Sequence, residues 1–137
     1  MASMTAIRSG LQTRLKTIAG LTAYDTWPNT LNPPCVAIEP APAEYEQTFG
    51  ADYSHHAFEL YVCVAATPGF PQAQTNLDKY LATTGGSSIR AAIAGDRTLG
   101  GAVDATFVKG MRDYSPQEIG PDVLVLGAIV EVETWGP

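Results

Sequence analysis

Apolar residues recur at Ile7, Leu11, Leu15 and Ile18, a spacing that draws a single stripe down a helix spanning about residues 5–18. Thr5 is placed to cap it, Gly20 ends it, and Arg8, Gln12 and Lys16 form its wet face. A short extended piece at Leu21–Tyr24 follows, then a turn at Trp27-Pro28-Asn29 and the pair Pro33-Pro34, which forbids helix and opens a strand over Cys35–Glu39. The stretch Glu44–Tyr53 alternates weakly through Tyr45, Gln47 and Phe49 and reads as a strand or an ordered loop. Strict alternation then sets Phe58, Leu60, Val62 and Val64 on one strand face and Glu59, Tyr61 and Cys63 on the other.

Helical spacing returns from Pro71 to Ala82 through Ala73, Leu77, Tyr80 and Leu81. After Gly85-Gly86, either Ser87 or Ser88 can cap a short helix whose inner side is Ile89, Ala92 and Ile93. The chain closes with two long alternating segments. One runs from Val103 to about Tyr114, and the other has Leu124, Leu126, Ala128, Val130 and Val132 facing inward, with Glu131, Glu133 and Trp135 outward. Ser115–Asp122, rich in proline and glycine, reads as the loop of this hairpin. Strands in runs, with helices segregated to one side, predict an α+β fold: one domain over residues 1–137, mainly antiparallel, with the helices on one sheet face. A chain of 137 residues is long enough for one core and too short for two.

The charge is −6, and its arrangement tells more than its size. Arg8, Arg14 and Lys16 precede any acid, whereas Thr17–Asp78 holds no lysine or arginine and carries Asp25, Glu39, Glu44, Glu46, Asp52 and Glu59. Such an acidic half is a poor nucleic-acid binder. Its acids are either a solvated face, or a surface that keeps a polyanion at a distance, or the counterpart of the basic first helix of a neighbouring copy. There is no long apolar run and no apolar signal-peptide core, which predicts a cytoplasmic protein with no membrane partner.

The residues that carry chemistry elsewhere are sparse. Cys35 and Cys63 lie in apolar strands away from metal spacing and read as buried thiols, with a disulfide as the alternative. Asp52, His55 and His56 form the only cluster suggestive of a metal or acid–base site. Adjacent histidines on a strand point to opposite faces, however, so they read as strand-edge residues that are exposed or at an interface. Ser87-Ser88 lacks a nucleophile elbow or a phosphate-loop ending, and capping explains it. Asp96-Arg97 reads first as a local ion pair, otherwise as a helix-end pair or an intersubunit contact. Trp27 and Trp135 read as packing at the edge of the core. The reading is a non-enzyme without cofactor or metal.

Three tracts carry a resemblance: LKTIAGLTAYDTWPNTLNPPCVAI, LDKYLATTGGSSIRAAIAGDRTLGGAVDATFV and LGAIVEVETW. Together with the amphipathic first helix, they resemble the tail terminator proteins of long-tailed, non-contractile phages, especially those of actinobacterial hosts. The resemblance covers roughly residues 5–135. It implies a small structural protein that forms a hexameric ring, caps the head-proximal end of the tail tube, stops its polymerisation and joins the tail to a head-completion or connector protein. It also implies a place in the virion tail after assembly in the host cytoplasm, DNA passing through the lumen without specific binding, and no catalytic residues. In that setting Arg8, Arg14, Lys16, Asp96 and Arg97 are candidate subunit-interface residues, and Glu44, Glu46 and Asp52 candidate lumen-facing acids. The fold is shared with tail tube and some neck proteins, so a head-closure, neck or tube subunit is the alternative. A small cytosolic ligand-binding domain or enzyme is the alternative of another class.

Overall fold

The computed structural model describes residues 4–26, 33–40, 44–45, 54–66, 69–120 and 123–136. Helix α1 (Met4–Leu15) buries Ile7, Leu11 and Leu15 completely, as the apolar stripe requires. Each such side chain contributes roughly 1.5–3 kcal/mol by leaving water. Thr5 lies inside the first turn of α1 and is not its cap.

Strands β1 (Thr22–Tyr24) and β2 (Cys35–Pro40) follow and pair in parallel. The Pro33–Pro34 bond ahead of β2 is cis. Strand β3 (Glu44–Tyr45) is short and pairs with the start of β4 (Ser54–Ala65). The predicted turn at Trp27-Pro28-Asn29 and the segment 46–53, with Glu46 and Asp52, lie outside the described residues.

Helix α2 (Phe70–Leu81) carries Pro71 in its first turn, where a missing N–H costs nothing. Helix α3 (Ile89–Ala94) is capped by Ser88: its Oγ accepts from the Ala91 N–H at 3.1 Å and donates to the Ala82 carbonyl at 2.5 Å. Of the two serines, Ser88 is the cap, and it takes the extended backbone of that position.

Strands β5 (Ala105–Gly120) and β6 (Val123–Gly136) form a long antiparallel hairpin. Here the structure corrects the sequence reading, because 115–120 is strand and not loop. Pro116 is tolerated since β5 is an edge strand, bonded among the described residues to β6 alone, so its missing N–H breaks no ladder on the other side. Register shifts at Val108/Gly110, Arg112/Ser115 and Glu118/Gly120 absorb the irregular residues, and Asp113 takes φ +57° at the second of them.

The result is an α+β fold whose described residues form a six-stranded, mostly antiparallel sheet in the order β1-β2-β4-β6-β5, with β3 beside β4. The main core joins all three helices to Val36, Ile38, Phe58, Leu60, Val62, Val64, Leu126, Ala128, Val130 and Val132, so the helices share one sheet face. Alternation predicted the inner faces of β4 and of β6 from Leu126 onward, but Leu124, read as inward, is exposed because it lies at the hairpin end of β6, beyond the core cluster. Among the described residues, the other face carries only strand side chains, gathered around Cys35, Tyr61, Cys63 and Val125.

One close approach fixes α1 on the core. A Cβ on Gly10 would stand 2.8 Å from the Leu99 Cβ and 2.9 Å from its carbonyl oxygen. Leu99 is itself in the left-handed region at φ +52° and is buried. The strain of that conformation is held by the Asp96 turn described below.

Candidate functional site: the helix-free sheet face

On the face without helices, β2, β4 and β6 align their odd-numbered residues. Register places Glu39 opposite Glu59, and Glu59 opposite Glu131, in one cross-strand row. Glu133, opposite Ala57, stands in the next row. Like charges directly across strands repel, and a cation must offset them. Arg112 of β5 supplies it: Nη2 lies 2.5 Å from Glu59 Oε1, Nε lies 3.9 Å from Glu131 Oε1, and Nη1 donates to Asp113. Its carboxylate partners, Glu59 first, hold the Arg112 guanidinium above its ordinary pKa. Glu133 has Lys109 Nζ and His55 Nε2 each at 3.7 Å from Oε1. The row is therefore more acidic than basic and partly open to water.

Beyond this row the face turns apolar and covers itself. Tyr61 reaches across β6 at Gly127 to donate its hydroxyl to Gln117 Oε1. Gly127 is needed there, since a Cβ would meet the Tyr61 hydroxyl oxygen at 2.8 Å and its ring at 3.1 Å. Under this ring lie the paired thiols of Cys35 and Cys63, Sγ to Sγ 3.4 Å, both buried and not bonded to one another. Burial, together with the nearby Cys63 and Cys35, pushes the Tyr61 phenol up to about 12.

The sign of that shift sets a test. The unfolded phenol ionises near pH 10, before the folded one, so stability present below pH 10 is lost as pH rises toward 12. Phenolate absorbance is expected to show a late step near pH 12 from Tyr61 and Tyr114, the latter also held up to about 12. Tyr61→Phe is expected to remove the late Tyr61 step and soften the alkaline loss of stability.

The remaining candidates disperse. His55 stacks on Trp135, its register partner, at 4.1 Å between ring centroids, so Trp135 lies on the helix-free face. His56 points the other way and is buried in a row with Thr134 and Thr106, its carbonyl accepting from the Thr134 hydroxyl at 3.2 Å. Burial, and then His55, lower its pKa. The opposite facing is as predicted, but the exposed strand-edge reading is corrected, because β4 is paired on both sides.

Asp96 and Arg97 do not pair with each other. Asp96 accepts from the Thr98 N–H and hydroxyl and the Gly100 N–H, bonds that lower its pKa and close the turn under Leu99. Arg97 donates to the Thr106 carbonyl at 3.0 Å and lies over the Phe107 ring. Arg14 is turned inward, its Nε donating to the Ala92 carbonyl at 2.8 Å and tying α1 to α3. Arg8 is half-buried, whereas Lys16 is exposed just past the end of α1. Glu44 is on β3, apart from the row formed by Glu39, Glu59 and Glu131. That row was within reach of sequence reasoning through the alternation of β4 and β6; only the register was missing.

Among the described residues, no three His, Cys, Asp or Glu side chains gather at metal distance. No helix among them is long and apolar enough to cross a membrane. No protein family matches the chain, and no curated protein matches it.

Proposed function

We propose that the chain is a tail terminator subunit of a long-tailed, non-contractile phage, assembling as a ring on the head-proximal end of the tail tube. The observation that carries the proposal is the division of the sheet. One face is sealed by three helices, while the other presents the Glu39–Glu59–Glu131 row and Glu133 to whatever lies beyond. In the ring this acidic face lines the bore, where it keeps DNA from adhering as it passes. The sequence tracts quoted above support the same family, and the fold class is the one it implies.

Ring closure needs a head-to-tail contact between copies. The outer edge of β5 lacks a strand partner among the described residues and exposes Phe107 and Met111, 48% and 49% accessible, so it supplies one side of that contact. Arg8 of α1 and Lys16 just after it remain as the basic contribution, because Arg14 is committed within the subunit.

The deciding experiment is electron microscopy of particles assembled without this protein. Overlong, headless tails are the expected result. Tailless heads, or heads that leak DNA, would assign the chain to the neck instead. Purified chain growing into long tubes would make it the tube subunit.

A further inference from the structure

Cys35 and Cys63 take no part in the acidic row, yet their placement is specific. They are Cα partners on the adjacent antiparallel strands β2 and β4, with thiols in contact at 3.4 Å. Directly opposed residues of an antiparallel pair have Cα atoms about 4.5–5.5 Å apart, inside the range a disulfide spans. We propose that Cys35 and Cys63 form a modification site, a dithiol that a low-molecular-weight disulfide such as oxidised glutathione converts into a cross-strand disulfide. The inference is independent of the ring reading.

Both thiols are buried, so the reaction runs through local opening. Cys35 is the first residue of β2, and its outer neighbour β1 is only three residues long. Cys63 is held inside the sheet between β2 and β6, whereas Cys35 stands at the start of β2 beside the short β1, so local opening exposes Cys35 first and makes it the entering nucleophile.

Its thiolate attacks one sulfur of oxidised glutathione, forming a mixed disulfide and expelling one glutathione thiolate. The Cys63 thiolate then attacks the Cys35 sulfur, forming the protein disulfide and expelling the second glutathione. Two electrons pass to the glutathione, and the two protein thiol protons end on the two released glutathiones. The bond closes the chain between residues 35 and 63 and joins two neighbouring strands, restricting the unfolded ensemble.

The test uses the native chain incubated with oxidised glutathione. Expected are a mass loss of two hydrogens, unchanged far-UV circular dichroism and a melting temperature raised by roughly 10 °C. Cleavage must follow glutamate, since no lysine or arginine lies between Lys16 and Lys79, whereas Glu39, Glu44, Glu46 and Glu59 separate the cysteines. The Cys35 and Cys63 peptides are then expected to be joined until reduced. In Cys63→Ser, Cys35 is expected to take up glutathione faster than Cys63 does in Cys35→Ser. Retention of both thiols under conditions that fully oxidise the denatured chain would overturn the proposal. So would intermolecular dimers, or a bond formed only with loss of native dichroism.

Discussion

Replacing Phe58 by alanine is expected to lower the unfolding free energy by about 3–5 kcal/mol. Phe58 is 1% exposed and the bulkiest of the fully buried side chains. It sits on β4 between its register partners Pro40 and Val132, where it joins the core shared by the sheet and all three helices. Truncation removes its apolar surface and leaves a cavity that strands bonded on both sides cannot close. Against a total stability of about 5–15 kcal/mol, the loss is a large share, and the thermal midpoint is expected to fall by roughly 10 °C or more. Phe70 on α2 is 41% exposed, so Phe70→Ala is expected to cost far less. Urea unfolding of the pair is the measurement. A Phe58→Ala loss below about 1 kcal/mol, with an unchanged denaturant slope, would show that the core lies elsewhere.

The periodic parts of this fold were legible because local pattern and burial agree. The stripe of α1 and the alternation of β4 and of β6 from Leu126 onward put the same residues inside that the structure buries. The reading failed at β5, where proline and glycine at Pro116 and Gly120 signal a loop. The strand continues because an edge position and three register shifts accommodate them, and neither is visible before the neighbours of β5 are known. Thr5 failed as a cap for a simpler reason: helix ends are set by backbone geometry that spacing leaves free by a turn.

The site was legible in its parts and not in its assembly. Sequence placed Glu131 and Glu133 on the outer face of the last strand and Glu59 on the outer face of its own. It could not pair them, because register is a long-range property of the sheet. Arg112 was missed because bulges around Lys109 and Asp113 break the alternation that would have assigned its face. Arg14 and Asp96 look like surface charges in sequence. Tertiary contacts with Ala92, and a local turn through Thr98 and Gly100, commit them within the subunit.

Reversal of the acidic row is the change expected to affect function most. Glu59→Lys, Glu131→Lys and Glu133→Lys together raise the formal net charge from −6 to neutral and join Lys109 and Arg112 in a basic patch. The native face repels phosphates, so no binding to duplex DNA is expected. The reversed face is expected to bind it non-specifically, with Kd of order 10⁻⁴–10⁻⁶ M and an affinity that falls steeply with salt. In particles the consequence separates bore lining from other surface roles. Tails of native length are expected, because the β5 edge is untouched, but genome release is expected to slow at low salt and recover as salt rises. The matching glutamine variant removes charge without reversing it, retains the fold and is expected to release DNA at near-native rate. If the reversed particles release DNA as the native ones do, the acidic face does not line the bore. The reversal would still report its exposure through DNA binding by the isolated chain, so the two failures are distinguishable.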